Sequence, residues 1–300
     1  MNSSFPDDTT VRLTAYGYFE LAEKPTPERL SEYYAAKYYQ QSVRTHQHKY
    51  EADELLFRKN KLEQKRLKVE SLLDPNEAQR QFLDIGSGEG FALAHYAQCG
   101  WEVTGMDYSS FGCTMHHPDL RDRLLVGDLN ELMNQLKEAK ERYQLILMDN
   151  VLEHVLEPLD VLRTVRELMV PGGILIVEVP NDFSALQMSL LDSGRIPSPF
   201  WVVSPDHVSY FNHEGLRALA ADAGLQQCAL MSDFPIDFAL CNENTNYVVD
   251  KSKGKSCHRA RVELDNLIHK LSPEGATRLY EALGSLGLGR QIISFFRRGD

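Results

Sequence analysis

FLDIGSGEG, residues 82–90, carries the strongest structural signal in this sequence. Its apolar residues predict a buried parallel strand, which stops at a turn built on Gly86, Gly88 and Gly90. Glycine accepts positive φ angles and lets a ligand approach the main chain closely. A helix-like run, FALAHYAQCG, follows at once. Strand, glycine turn and helix together predict the start of a βαβ unit that binds a nucleoside.

The spacing of the glycines distinguishes between two kinds of nucleoside ligand. The dinucleotide fingerprint G-x-G-x-x-G needs its third glycine where this chain has Phe91. The third glycine is Gly90 instead, and the carboxylates of Asp84 and Glu89 lie beside the turn. Two carboxylates oppose a pyrophosphate but favour a ligand that carries an ammonium and a sulfonium. A second apolar strand, WEVTGMD, ends on Asp107, which is placed to accept hydrogen bonds from two ribose hydroxyls.

The glycine turn resembles motif I of the class I S-adenosylmethionine-dependent methyltransferases, and further segments follow in that family's order. Asp107 and Tyr108 in GMDYS match the ribose-binding position, and Asp128 and Leu129 in LLVGDLNEL match the contacts to the adenine. YQLILMDNVLEHV (143–155) resembles the fourth strand and the loop that faces the transferred methyl group. PGGILIVEVPN (171–181) resembles the fifth strand with its preceding turn.

The resemblance implies S-adenosyl-L-methionine as the cofactor. The residues that it assigns to cofactor binding are Asp84, Gly86, Gly88, Gly90, Asp107, Tyr108, Asp128, Leu129 and Asp149.

Composition restricts the function further. The formal net charge is −11, which works against non-specific binding to a polyanion. Methyltransferases that act on base amines commonly carry [DNS]-P-P-[YF] after the fourth strand, whereas this chain has Asp149-Asn150-Val151-Leu152 there. We therefore do not expect nucleic acid as a partner. We expect instead a small-molecule or glycan acceptor.

Cysteine usage and hydropathy indicate a cytoplasmic protein. The five cysteines are odd in number and lack C-x-x-C spacing, which favours reduced thiols over a disulfide framework or a zinc site. The segment MNSSFPDDTT shows no signal-peptide pattern. The longest apolar run, GILIVEVP, is only strand-length, so we expect no membrane insertion.

The expected architecture is α/β, with a doubly wound, seven-stranded, mostly parallel sheet, an N-terminal helical cap and a helical insertion near the C-terminus. Residues 1–25 are expected to be loosely ordered or extended, 26–74 to form the cap, and 75–300 to form the methyltransferase domain. The insertion is predicted over 235–288, with helical runs at 258–271 and 274–286. Strands are predicted near 81–85, 101–106, 123–127, 143–149, 173–179, 225–232 and 290–297.

Two features of the predicted cap allow more than one interpretation. Arg58, Lys59, Lys61, Lys65, Arg66 and Lys68 decorate one helix, and we interpret them as a solvated face rather than a polyanion-docking surface. The phenols of Tyr33, Tyr34, Tyr38 and Tyr39 could stack on an acceptor or pack the cap onto the domain. The family resemblance implies a lid over the cofactor, which would accommodate both roles.

His154 and His207 are the candidate catalytic residues, because a hydroxyl acceptor must lose its proton to a base. His154 lies in an EHV segment that resembles the branch containing ubiquinone-biosynthesis and sugar methyltransferases. The matching segment of the quinone enzymes, E-x-x-E-H, has been linked to a divalent metal; Asn150 at its first position leads us to expect no metal here. We interpret Glu153 as a helix N-terminal acid. A packing role is the alternative for His154.

His207 lies in SPDHVSYF, which resembles the P-x-H-x-x-Y-F segment of small-molecule and glycan methyltransferases. A role in fixing its own loop is the alternative for His207. That loop, residues 193–207, should follow the fifth strand and is a candidate wall of the substrate site. Asn212 and Gly224 are predicted to begin and end the next helix.

Four functions remain open from the sequence. The favoured one is O-methylation of a small molecule or carbohydrate. Resemblance to methyltransferases associated with surface-polysaccharide gene clusters implies a role in the synthesis of such a polysaccharide. An aromatic or quinone acceptor is the second, and an apolar pocket without sugar-binding carboxylates would favour it. The third is a non-catalytic cofactor-binding partner protein that docks through the insertion; a methyltransferase acting on protein is a further alternative.

Overall fold

The computed structural model describes residues 10–30, 49–74 and 80–299. The tyrosine cluster predicted over residues 33–39 lies outside these ranges. The strands of the described residues are β1 (Val11–Leu13), β2 (Phe19–Leu21), β3 (Gln81–Ile85), β4 (Glu102–Asp107), β5 (Leu124–Val126), β6 (Tyr143–Asp149), β7 (Met169–Pro180), β8 (Ser209–Tyr210), β9 (Leu225–Ser232) and β10 (Gln291–Arg298).

The helices follow the same chain order. They are α1 (Ala52–Leu72), α2 (Phe91–Gln98), α3 (Phe111–His116), α4 (Leu129–Glu138), α5 (Pro158–Leu168), α6 (Ala185–Asp192), α7 (His213–Asp222), α8 (Gly254–Leu271) and α9 (Pro273–Ser285). Helix α7 begins and ends as predicted: the Asn212 side chain accepts a hydrogen bond from the Gly215 amide at 2.8 Å, and Gly224 follows with φ +76°.

A seven-stranded sheet with the order β5-β4-β3-β6-β7-β10-β9 forms the centre of the molecule. The pairs among β3 to β7 are parallel, whereas β10 runs antiparallel to both β7 and β9. The apolar runs of β3, β6 and β7 are buried because helices cover both faces. The predicted doubly wound, mostly parallel sheet of seven strands is confirmed.

The two faces of the sheet have separate apolar cores. Helices α4, α5 and α7 cover one face, where Leu132, Leu162 and Leu216 belong to a single buried cluster. Helices α1, α2 and α9 cover the other face, with Val69 and Tyr96 among its buried residues. In the chain, helices α8 and α9 lie between β9 and β10, where the two helical runs are predicted. The division of the chain into cap, domain and insertion stays a prediction.

In the described part of the N-terminal segment, residues 10–25, the chain contains two extended strands. Strands β1 and β2 form a hairpin, and β2 pairs with β8 in a separate three-stranded sheet. Tyr18 and Phe19 are buried, and their rings contact Phe211 and Phe183 at centroid distances of 4.6 and 4.2 Å. Strand β8 and the rings of Phe183 and Phe211 lie about 160 to 190 residues further along the chain than the hairpin. The local sequence therefore does not indicate this pairing.

Strand β7 is longer than its prediction of 173–179. It begins at Met169 and includes the Pro-Gly-Gly segment, which was expected to precede it as a turn. Gly172 has a φ of +79°, and the pairing with β6 shifts register between Tyr143 and Leu145. The glycine pair therefore forms an irregularity inside the strand rather than a boundary. Among the described helices, none combines the length and apolar character needed to cross a membrane.

Candidate functional site

The glycine turn after β3 has the geometry that its sequence requires. Gly86, Gly88 and Gly90 all have positive φ angles, of +77°, +53° and +77°. The Gly86 amide donates to the Met106 carbonyl at 2.8 Å, and a Cβ at this position would lie 2.5 Å from Cγ2 of Val151. A Cβ at Gly88 would meet nothing within 4 Å, so open space adjoins the main chain there. The turn presents backbone that a ligand can approach closely.

Asp84 is a buried carboxyl at the end of β3, beside this turn. Its Oδ2 atom has no hydrogen-bond partner among the described residues. Burial, together with the nearby carboxylates of Asp149 and Asp107, raises the pKa of Asp84 to about 8. A buried carboxyl with an unused oxygen suits a cationic ligand group, because a cation both neutralises and hydrogen-bonds it.

Asp107 and Asp128 lie at the ends of neighbouring strands β4 and β5. Asp107 accepts hydrogen bonds from the Gly88 amide at 2.9 Å and the Ser109 amide at 3.0 Å. Asp128 caps α4, accepting from two backbone amides of its first turn, and also accepts from the Tyr108 hydroxyl at 3.0 Å. Tyr108 remains 46% exposed, and Leu129 is buried in the apolar core. The predicted ribose and adenine residues thus lie along one edge of the sheet.

A cleft of about 1040 Å³ opens beside the glycine turn, between α1 and α8. We call it the α1–α8 cleft. Asp84, Gly86, Asp149 and Asn150 contribute to its floor, and charged side chains of both helices form its walls. The predicted substrate wall, residues 193–207, contributes nothing to the lining of this cleft among the described residues. That segment packs instead on α6, with Trp201 buried in a satellite apolar cluster.

The interpretation of the basic residues of α1 as a solvated face is wrong for Lys65. Its side chain is only 2% exposed, and the ammonium pairs with Glu178 and, at 2.8 Å, with Asp149. Lys61 pairs with Glu178 at 3.1 Å. Burial by itself would lower the pKa of Lys65, but the two carboxylates outweigh it and raise that pKa. Conversely, burial opposes ionisation of Asp149, yet Lys65 holds its pKa below the usual value.

A sequence signal for this ion cluster existed. Leu62, Lys65 and Val69 follow helical spacing, so Lys65 lies on the same helix face as the two buried apolar residues. Glu178 interrupts an apolar run that forms a central strand. A lysine on a buried helix face and a glutamate in a buried strand each require a partner of opposite charge.

The two candidate catalytic histidines lie together. The rings of His154 and His207 are in edge-to-face contact, with centroids 4.9 Å apart. Nδ1 of His154 lies 2.7 Å from the Asp206 carbonyl oxygen. A carbonyl only accepts, so Nδ1 carries the proton and Nε2 holds the lone pair of the neutral ring. Neither histidine belongs to the lining of the α1–α8 cleft.

Glu153 differs from the helix N-terminal acid that was expected. It lies in a 3-10 turn, Leu152–His154, with its side chain buried and both oxygens without a hydrogen-bond partner among the described residues. Burial raises its pKa well above the usual range. Ligand atoms of Glu153, His154 and His207 lie within 4.8 Å of one another, a spacing that could hold a metal ion. Glu63, His95 and Cys99 form a second such group among the described residues.

Comparisons with known proteins show similarity to methyltransferases. A family model described as a methyltransferase domain matches residues 34–230. The ubiquinone biosynthesis O-methyltransferase of Cereibacter sphaeroides is 34% identical over 103 residues, which cover 34% of this chain and 41% of that protein. Its namesake from Stutzerimonas stutzeri is 25% identical over 151 residues, covering 49% of this chain and 65% of that protein. The matched part of this chain thus spans less than two thirds of the length of these relatives.

Among solved structures, a SAM-dependent methyltransferase from Archaeoglobus fulgidus aligns with a TM-score of 0.49 at 16% identity, covering 80% of this chain and 94% of that one. The family match extends over more than half of the chain, and the chain therefore belongs to the methyltransferase-domain family. It is a class I S-adenosylmethionine-dependent methyltransferase domain, as the strand order and the glycine turn indicate.

The residues present fit this cofactor. The unused oxygen of Asp84 suits an ammonium group, and the open space at Gly88 admits a ligand against the main chain. Asp107 accepts hydrogen bonds from the Gly88 and Ser109 amides, and a carboxylate has about four lone-pair positions for such donors. The assignment of individual ligand contacts to these side chains stays a prediction.

Proposed function

We propose that the protein transfers a methyl group from S-adenosylmethionine to an oxygen of a polar small molecule or carbohydrate. The observation that carries this proposal is the charged lining of the α1–α8 cleft, which adjoins the glycine turn. Glu51, Asp53 and Glu54 line one wall, and Lys255 and Arg259 line the other. A cleft of this size and polarity favours a hydrogen-bonding acceptor over a purely apolar one. A role in surface-polysaccharide synthesis stays a prediction within this class.

A quinone or other aromatic acceptor is the second candidate. The names of the curated relatives favour it, since both reported relatives are ubiquinone biosynthesis O-methyltransferases. Phe57, Tyr50 and Phe91 supply aromatic surface in the cleft. The carboxylates beside them weigh against an isoprenoid-rich acceptor, because burying them against apolar groups costs free energy.

In this proposal, donor binding uses the edge of the sheet from β3 to β5. Asp84 holds the ammonium, Asp107 the ribose hydroxyls, and Asp128 and Leu129 the adenine. The bound donor supplies a methyl group on a sulfonium, whose thioether product needs no protonation. The protein therefore has to position the acceptor and receive its proton; positioning alone can contribute about 7–11 kcal/mol.

We assign the proton-accepting role to the pair of His154 and His207; because neither histidine lines the α1–α8 cleft, this role requires an acceptor that extends beyond the cleft lining to reach them. The Asp206 carbonyl fixes the tautomer of His154 so that Nε2 can accept a proton. The pair follows Asn150, which lines the cleft, and Val151, which contacts the glycine turn. A general base typically contributes 10²–10⁴-fold to the rate. His154→Ala and His207→Ala, made singly, should lower kcat by about this factor and leave affinity for S-adenosylhomocysteine unchanged. Loss of that affinity would show a structural role instead.

The first test is transfer of label from radiolabelled S-adenosylmethionine into an extract of the source cells, fractionated by size and chemical class. Label in a sugar, nucleotide-sugar or other polar fraction supports the proposal, and label in a lipid-soluble aromatic fraction supports the second candidate. Label confined to protein or RNA would contradict both. Any turnover excludes a purely cofactor-binding role.

Donor binding is tested separately with S-adenosylhomocysteine by calorimetry. Asp107→Ala should weaken binding, since each charge-assisted hydrogen bond contributes roughly 1.5–3 kcal/mol. Asp119→Ala, an exposed acid of the following 3-10 turn, is the matched control and should bind normally. Unchanged affinity of the Asp107 variant would contradict the assignment of the ribose site.

A further inference from the structure

Helix α8 presents a basic surface to the α1–α8 cleft. Its cleft-lining residues are Lys255, His258, Arg259, Arg261 and Val262, which include no acid. They recur at helical spacing, so they belong to one side of the helix. This local concentration of positive charge contrasts with the net charge of −11 for the whole chain. It lies on the segment between β9 and β10, to which the donor site gives no role.

Arg261 has hydrogen-bonding capacity that the described residues do not use. One terminal nitrogen lies 3.2 Å from Nδ1 of His258, and the other forms a long ion pair with Asp233 at 3.9 Å, beyond hydrogen-bond distance. Its Nε is buried and has no partner among the described residues. A guanidinium carries five N–H donors, and leaving them unpaired away from water costs free energy. The Phe57 ring, 5.1 Å from the guanidinium carbon, packs against it and helps to fix it.

Lys255 adds a second positive charge at the cleft. It is exposed, and within the described part of the chain no carboxylate lies at ion-pair distance from it. Arg259 pairs with Glu263 at 3.0 Å on the solvent side, and Glu263 does not line the cleft. The α8 wall therefore retains positive charge that an anionic ligand could neutralise.

The opposite wall is acidic, but its deeper carboxylates already have partners. Glu54 pairs with His258 at 3.0 Å and with Arg58 at 3.7 Å. Glu89 pairs with Arg58 at 3.7 Å and accepts a hydrogen bond from the Tyr50 hydroxyl at 2.8 Å. Glu51 and Asp53, at the start of α1, keep negative charge at the rim. An anion would therefore bind against α8 and away from the first turn of α1.

We propose that the methyl acceptor carries an anionic group, a phosphate or a carboxylate, which Arg261 and Lys255 bind in the α1–α8 cleft. This inference rests on the proposed function, because it takes the cleft as the acceptor site. A guanidinium can form two parallel hydrogen bonds to either anion, and the ammonium of Lys255 adds a point charge. The insertion between β9 and β10 then serves as the element that selects the acceptor.

The test measures anion binding directly. Protein saturated with S-adenosylhomocysteine is titrated in a calorimeter with inorganic phosphate and, separately, with glucuronate; glucose is the neutral control. We expect at least one anion to bind and glucose not to bind. Arg261→Gln should weaken anion binding by about tenfold or more, and Lys255→Gln by a smaller factor. Binding of phosphate alone identifies a phosphorylated acceptor, and binding of glucuronate alone identifies a carboxylate.

Lys270→Gln is the matched control, because Lys270 is an exposed cation of the same helix outside the cleft. It should bind the anions like the parent protein. Lys255 is exposed, so its variant keeps the test decisive if Arg261→Gln fails to fold. Failure of both anions to bind, or unchanged affinity in the Arg261 and Lys255 variants, would overturn this inference alone. Failure of S-adenosylhomocysteine to bind would overturn the proposed function and this inference with it.

Discussion

At the scale of single residues, Asp84 links the site to the pH dependence of stability. Burial and the carboxylates of Asp149 and Asp107 raise its pKa to about 8. The folded protein therefore holds a proton on Asp84 over a pH range in which the unfolded chain has released it. Stability consequently falls as the pH rises from the ordinary aspartate value toward 8, because the unfolded state binds fewer protons.

Asp84→Asn should remove this pH dependence, because an amide does not ionise. The unfolding free energy of the variant minus that of the parent should become more positive between about pH 6 and about pH 8, by at most roughly 1.4 kcal/mol per pH unit. Urea denaturation at the two pH values measures it. Asp250→Asn is the control: hydrogen bonds from Ser252 lower the pKa of Asp250, so this carboxylate stays ionised over that range. A difference for Asp84→Asn that does not change with pH would contradict the raised pKa.

Gly86 tests the glycine turn. An added Cβ would face two penalties, the positive φ of +77° and an approach of 2.5 Å to Val151. Gly100→Ala faces the φ penalty alone, since nothing lies within 4 Å of a Cβ there. Gly100→Ala should cost about 1–2 kcal/mol of stability, and Gly86→Ala should cost more and also weaken binding of S-adenosylhomocysteine. Equal losses in chemical denaturation would show that the Val151 contact relaxes freely.

At the scale of elements, α1 contributes to the site rather than only covering the fold. Its buried Lys65 neutralises Glu178 of β7 and Asp149 of β6, two carboxylates at the carboxyl edge of the central sheet. Its acidic first turn and Arg58 form one wall of the α1–α8 cleft. Helix α1 also packs on α8 and α9, so the walls of the cleft support one another.

Lys65→Met should destabilise the protein by up to about 3–5 kcal/mol, because it leaves the buried Glu178 with Lys61 as its remaining counter-charge and the part-exposed Asp149 without its Lys65 partner. Lys68→Met is the matched control on the same helix. The Lys68 ion pair with Glu281, at 2.6 Å, is partly exposed, so its loss should cost about 0–1 kcal/mol. Urea denaturation of the two variants measures the difference. Similar losses would mean that water reaches the Lys65 cluster and screens it.

Strands were easier to predict than their irregularities. Strands β3, β6 and β9 begin and end at the predicted residues. In β3 and β6 a short apolar run bounded by polar residues defines a buried strand locally. The extension of β7 from Met169 to Gly172, ahead of the predicted start at Gly173, was not predicted. A pairing with β6 and a bulge keep this segment in the sheet, and both depend on the neighbouring strand.

At the scale of the whole molecule, the N-terminal hairpin ties distant parts of the chain together. Strand β2 pairs with β8, which begins two residues after His207. Phe19 stacks on Phe183, which follows β7 and precedes α6. The hairpin therefore supports the segment that carries one of the candidate catalytic histidines.

Phe19→Ala should cost about 3–5 kcal/mol of stability, as for a buried aromatic side chain whose removal leaves a cavity. Leu13→Ala in the same hairpin is the control; Leu13 is 56% exposed, and its change should stay within about 0.5 kcal/mol. Thermal and urea unfolding measure both. Equal stability of the two variants would mean that the hairpin contributes nothing to the folded domain.

The sequence by itself determined the class of the fold and the positions of the glycine turn, Asp107 and Asp128 at one edge of the sheet. The glycine turn, Asp107 and Asp128 are local signals, because a tight turn, a strand-end acid and a helix cap depend on residues a few positions apart. Alternation of apolar strands and amphipathic helices then gives the doubly wound sheet. These features need no knowledge of long-range contacts, and the sheet was predicted correctly for that reason.

Only the tertiary structure decided which residues meet across the site. Lys65 lies 84 residues from Asp149, and His154 lies 53 residues from His207, yet each pair is in contact. The α1–α8 cleft joins two helices that are still further apart in the chain. Such partners come together because burial of separate apolar faces fixes the helices on one sheet, and charged groups carried inward must then pair. No local pattern specifies that pairing.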